Sequence, residues 1–228
     1  MSVVAVLHHL DKSALGHVGP PLRAAGLELD ERVLLHGAEL PEPGSVDGMV
    51  VLGGDQSAVH AGADPVLARE AQLLRETVAA GVPVLGICLG GQVLAHALGG
   101  RVRHVGQVVE WRALRKTAAG AADPLFGALE EPLPALHWNE DVFDLPPGAE
   151  VLAEPAPDGV EAFRHGSAWG VQYHPDVDQA VLDDWLATYP DDVPDRAAFA
   201  AASRAWMKAQ ARASATLFGA FAREVLRA

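Results

Sequence analysis

Cys88 is the only cysteine of the 228-residue chain, and it stands in PVLGICLGGQVLAHALGG (residues 83–100), with Gly86 before it and Gly90-Gly91 after it. A strand that enters a helix through a sharp turn lifts the turn residue out of the sheet, and the crowded backbone there needs small neighbours. A cysteine so placed sits at a helix N-terminus, where the dipole and the free N–H groups favour thiolate over thiol. The same N–H groups, that of Leu89 first, would stabilise an oxyanion formed when the thiolate attacks a carbonyl. Glycine spacing alone fits equally well a buried, inert cysteine acting as a small hydrophobe. A nucleophile also needs a proton shuttle, usually a histidine held by an acid. His174 and Asp176, in GVQYHPD at residues 170–176, supply that pair far along the chain and tip the reading towards a nucleophile.

Elements must bring these groups together. Ser2–Leu7 and Met49–Leu52 are short apolar runs of buried-strand type, the second followed by Gly53-Gly54. GPPLRAAG suits a short helix with proline in its first turn. ADPVLAREAQLLRETVAAG predicts a helix capped by Asp64, with Pro65 next, a stripe of Leu67, Ala71, Leu74 and Val78, and Gly81 at its end. VPVLGI is then a strand leading to Cys88. Alternating strands and helices imply right-handed crossovers and an α/β fold with a mainly parallel central sheet flanked by helices. Reactive groups gather at the carboxyl ends of such strands, which puts the Gly53-Gly54 loop and Cys88 on one edge. Residues 101–117 and 133–173 read as shorter strands, some antiparallel, and AWGVQYH as a late strand ending at His174.

Beyond Asp195 the chain is Ala-rich and helical, with Phe199, Trp206, Ala213, Leu217, Phe221 and Val225 able to share a face. The expected organisation is an α/β domain over residues 1–190 and a C-terminal helical extension, 191–228, packed on it, with residues 189–195 as the candidate hinge. A homodimer interface built by Phe199, Trp206, Leu217 and Phe221 is the rival use of that face.

A formal net charge of -13 argues against a nucleic-acid or anionic-membrane partner and leaves a small molecule or another protein. No apolar run approaches the roughly 20 residues of a membrane span, and MSVVAVLHHLDKS lacks the features of a leader; the expected location is cytoplasmic. The ten histidines form no recognisable ligand frame, so no metal is expected. His8-His9 reads as a polar loop near the reactive edge, His96 as a packed helix residue and His137 as structural. LGGDQ lacks the Lys-Ser/Thr of a nucleotide loop, so no cofactor follows.

GICLGGQ followed by GVQYHPD resembles the class I glutamine amidotransferase family, which carries a G-x-C-x-G-x-Q elbow and a late H-P-E. DGMVVLGGD looks like the family's oxyanion loop, and DPLFGAL and LHWNEDVFDLPPGAEVLA look like segments of its stand-alone, GMP-synthase-like branch; the resemblance spans about residues 3–187. It implies a flavodoxin-like fold and a thioester mechanism. Cys88 would attack the γ-carbonyl of glutamine or a γ-glutamyl compound and expel ammonia or an amine. His174 would protonate the leaving group and then activate water, and Asp176 would orient the imidazole. Gly54 and Leu89 N–H groups would form the oxyanion hole, and Gln92 would contact the glutamyl group. Delivery of ammonia to an acceptor, as in GMP synthesis, would require a separate synthase subunit.

The sequence departs from the family pattern at several of these places. Asp176 replaces the usual Glu and is one methylene shorter, and Asp178 is its possible substitute. The usual Glu-Ile-Gly-Trp aligns with Val108-Val109-Glu110-Trp111, which implies that Glu110 and Trp111 face the substrate's amino-acid end, with Glu110 adding bulk and negative charge. Asn139 stands in HWNED where a titratable histidine is common, and Asp55 replaces the proline after the Gly pair. These departures imply a changed substrate or a reshaped pocket; the alternative is a catalytically weak binding or regulatory module.

Overall fold

The computed structural model describes residues 1–10, 14–154 and 159–228. Its first half alternates strands and helices: β1 (Val3–His8), α1 (Gly19–Ala24), β2 (Glu28–Val33), β3 (Gly48–Val51), α2 (Pro65–Ala79), β4 (Val84–Ile87) and α3 (Leu89–Ala97). Long strand β5 (Val102–Leu114), short helix α4 (Ala118–Ala122) and long strand β6 (Leu133–Phe143) follow. The chain closes with β7 (Glu150–Val151), β8 (Ala162–His165), β9 (Ala168–Val171), α5 (Gln179–Thr188) and α6 (Arg196–Val225).

Seven strands form one sheet in the order β2-β1-β3-β4-β9-β8-β7. β2, β1, β3, β4 and β9 run parallel, and β8 and β7 add antiparallel pairs at the far edge. β5 and β6 form a separate antiparallel ribbon. β2 is invisible to hydrophobic patterning because ELDERV is an edge strand with Glu28 and Glu31 in solvent.

Both faces of the sheet are covered, so the inner strands read as continuous apolar runs. In β1 the alternation sends Val4 and Val6 to one face, packed with Leu22, Phe218, Phe221 and Val225 of α1 and α6. Ala5 and Leu7 go to the other, packed with Leu67, Leu74 and Val93 of α2 and α3. The C-terminal helix is thus one layer of the fold. Leu217 and Phe221 are buried in that layer, and Trp206 stacks on Trp111 with centroids 5.7 Å apart. Of the face expected to build a homodimer, Leu217 and Phe221 are spent on packing within the chain, while Phe199 and Trp206 stay partly exposed.

Asp64 caps α2 by accepting from Val66 N (2.8 Å) and Leu67 N (3.0 Å), with Pro65 in the first turn. Among the described residues no helix is long and apolar enough to cross a membrane.

Candidate active site

β4 lies between β3 and β9, and Ile87 pairs with Val171, so the chain leaves both central strands at one level. Cys88 is the next residue. Its φ of 51° and ψ of −111° make it the only positive-φ non-glycine among the described residues. Such a conformation costs about 1–3 kcal/mol and persists only where the surroundings enforce it. Here Cys88 N donates to Val171 O at 2.8 Å, and α3 starts so close to the sheet that side chains are excluded. A Cβ on Gly86 would lie 2.5 Å from Gly90 O, and one on Gly91 would lie 2.8 Å from Val171 O. The glycine spacing is therefore a steric requirement of the turn.

β9 ends at Val171, earlier than the sequence suggests. The chain then changes partners, with Gln172 N donating to Glu161 O (2.9 Å) and His174 N to Leu136 O (2.8 Å). This turn carries His174 to the Cys88 edge, where its ring meets Trp185 edge-on at 4.8 Å. His174 Nδ1 lies 3.2 Å from Asp176 Oδ1, leaving Nε2 as the nitrogen available to the Cys88 thiol. Burial opposes charging of His174, but the charges of Cys88 and Asp176 and the hydrogen bonds to both outweigh it, and its pKa is pushed up to about 10. Asp178 is engaged elsewhere: it caps α5 by accepting from Val181 N at 2.9 Å.

Two residues that sequence reasoning passed over hold this turn from α6. Gln210 Nε2 donates to His174 O (2.5 Å) and Ser214 Oγ to Pro175 O (2.6 Å). Their signal was present: two polar residues four apart on an apolar helical face, both fully buried here. From the opposite side His17 N donates to Asp176 O at 2.8 Å, which fixes the backbone under the shorter acid.

The thiol opens into a cavity of about 290 Å³. Cys88, Leu89, Gln92 and Gly54 line it together with His174. Gln92 Nε2 donates to Asp141 O at 2.7 Å, tying the α3 side of the cavity to β6. Asn139 is buried there as well; its Nδ2 donates to Asp141 O (3.1 Å) and its Oδ1 has no partner among the described residues. At the other end Tyr189 OH donates to Asp55 (2.9 and 3.0 Å), and Trp138 Nε1 to Asp192 (2.7 Å).

Gly54 rests against His9, and a Cβ there would collide with the His9 Cβ. The expectation of a polar His8-His9 loop is corrected, since both side chains are buried. His9 Nε2 lies 2.8 Å from Glu70 Oε2, and its Nδ1 lies 3.1 Å from Leu52 O. Burial disfavours charge on His9, but Glu70 and the backbone carbonyls overcome it and raise its pKa. The Gly53-Gly54 loop therefore sits on a buried ion pair. His137 is also buried, 2.8 Å from Glu161.

Glu110 and Trp111 do not line the cavity, and their expected placement is corrected by the register of the ribbon. Glu110 pairs with His137, is half exposed (52%) and bonds Arg112 Nε at 2.8 Å. Trp111 donates to Ser203 Oγ at 2.9 Å beneath Trp206. The register breaks between His104 and Val108, and Gln107, inside that break, is the β5 residue that lines the cavity.

A thiol, an imidazole and a carboxylate in this order can act as nucleophile, proton shuttle and orienting group. Fold and sequence place the molecule in one class: residues 25–186 match the family model "Glutamine amidotransferase class-I", and the chain belongs to that family. It is 41% identical over 100 residues to a glutamine-hydrolyzing GMP synthase of Thermus thermophilus, covering 42% of this chain and 19% of that relative. A glutamine-hydrolyzing GMP synthase of Halobacterium salinarum, a protein named as one subunit of its enzyme, is 35% identical over 122 residues, covering 50% of this chain and 66% of the relative. Among solved structures, a glutamine amidotransferase of Thermotoga maritima superposes with a TM-score of 0.86 at 26% identity over 98% of both chains. A glutamine amido transferase of Methylobacillus flagellatus shares the fold, with a TM-score of 0.86 at 21% identity over 98% of this chain and 95% of the other.

Proposed function

We propose that this protein is a cysteine-dependent hydrolase that releases ammonia or an amine from glutamine or a γ-glutamyl compound. One observation carries the reading: Cys88, on its strained elbow, and His174, whose Nδ1 lies 3.2 Å from Asp176, line the same cavity. Cys88 attacks the γ-carbonyl, and the N–H groups of Leu89 and Gly54 receive the developing oxyanion. His174 protonates the departing nitrogen and then deprotonates the water that cleaves the thioester; Asp176 orients it. Gln92 holds the glutamyl group. We assign the reaction to the cytoplasm, where Cys88 stays reduced.

The test is covalent labelling by diazo-oxo-norleucine, read by intact mass. We expect one adduct on the wild type and none on Cys88→Ala. A wild type indifferent to this reagent, with general thiol reagents still reacting, would instead mark a binding or regulatory module. The Halobacterium salinarum relative favours a second reading, a glutaminase component of a two-component synthase. Glutaminase turnover that rises on adding a synthetase partner would support it.

A further inference from the structure

Resting on the hydrolase reading, the cavity carries information about the leaving group. The departing nitrogen must move towards the group that protonates it, so the amine half of the substrate lies on the His174 side. From His174 the contacts run to Trp185 (4.8 Å), from Trp185 to Trp138 (5.5 Å) and from Trp138 to Tyr189 (6.3 Å), and these three aromatics line the cavity. Asp55 and Asp192 line it too, hydrogen-bonded to Tyr189 and Trp138, which are uncharged donors. Neither aspartate has an ion-pair partner among the described residues, and no lysine or arginine among them lines the cavity. Aromatic faces joined to unpaired carboxylates attract an organic cation.

An independent feature lies on the glutamyl side. Asn139 is 9% exposed, lines the same cavity, and has an Oδ1 acceptor without a partner among the described residues. That oxygen is enclosed, so the α-ammonium of a γ-glutamyl group would reach it once the Asn139 amide turns towards the cavity.

We propose that the substrate is a γ-glutamyl amide whose amine half bears its own positive charge, a γ-glutamyl diamine, with that charge between Trp138, Trp185 and Tyr189 and beside Asp55 and Asp192. The Cys88 sulfur bonds the carbonyl carbon of the γ-amide, and as that adduct collapses the C–N bond breaks, the nitrogen taking its proton from His174 and leaving as the free amine. Water, deprotonated by His174, then cleaves the thioester to glutamate and regenerates the thiolate.

The experiment compares three probes on the full-length protein: γ-glutamyl diaminobutane, neutral γ-glutamyl butylamide and anionic γ-glutamyl aminobutyrate. Glutamate release is measured against a Cys88→Ala blank. We expect kcat/KM for the diamine to exceed that for the butylamide by about tenfold, a ratio equal to about 1.4 kcal/mol, with the anionic probe slowest. Added salt should narrow the ratio, and so should Asp55→Asn combined with Asp192→Asn. Equal rates for the diamine and the butylamide, or a preference for the anion, overturn the cationic assignment while leaving the thioester chemistry standing. No Cys88-dependent release from any of the three, nor from glutamine, overturns both.

Discussion

Cys88 and His174 form a coupled pair whose charge state is set by their neighbours. The folded protein holds the His174 proton up to about 10, against an ordinary value of 6.5, so the folded state binds that proton more tightly than the unfolded chain. The resulting stability is complete below about pH 6.5 and is lost as pH rises through about 10. We expect the urea midpoint of the wild type to fall across that window. In Cys88→Ala the fall should be smaller and the His174 proton resonances should titrate at lower pH, because the thiol's charge is the largest influence raising it. An unchanged titration in Cys88→Ala would separate the two residues. For the acid, Asp176→Asn should lower turnover at least about tenfold, within the range that a positioned proton shuttle contributes. Asp178→Asn should leave turnover near wild type, since an asparagine still caps α5; the reverse outcome would exchange the two roles. Cys88 was legible because the need for glycine around it is local and steric. Glu110 was misplaced because a register break in β5 changes which residues face the cavity, and no residue type announces that break.

At the scale of elements, the site is made by neighbouring strand ends and then held by helices that supply no reacting atom. α6 reaches the reactive edge through Gln210 and Ser214, which donate to the carbonyls of His174 and Pro175. We expect Gln210→Ala to lower kcat with little change in KM and to cost about 1 kcal/mol of stability, the net worth of one hydrogen bond. Gln210→Glu, which keeps the length and removes the donor, should resemble the alanine variant in rate. A Gln210→Ala enzyme with wild-type kcat would show that the turn needs no such support. α2 and α3 were readable from caps, glycine stops and apolar stripes, which are short-range features. β2 was not, because an edge strand lacks a continuous apolar run; strands over 101–117 and 133–173, some antiparallel, were legible, but not their pairing as one long ribbon of β5 and β6.

For the molecule as a whole, the last turns of α6 decide whether the parallel sheet has one covered face or two. Leu217, Phe218, Phe221 and Val225 are buried in the same cluster as Val4, Val6 and Leu85. Burying each such side chain stabilises by about 1.5–3 kcal/mol, and four of them match the net stability of a whole domain, about 5–15 kcal/mol. A chain cut after Tyr189 should therefore be insoluble or molten, with no cooperative urea transition; a soluble, cooperatively unfolding fragment of residues 1–189 would show that the helix is an accessory. The expected extension, residues 191–228 packed on the α/β domain of residues 1–190, was drawn where composition changes; composition does not reveal which face of a sheet such an extension covers. The hydrogen bonds from Gln210 and Ser214 also have a temporal meaning. His174 leaves the ribosome before the side chains that fix its carbonyl, so in a growing chain the turn that carries His174 is completed only once residues 210–214 have followed.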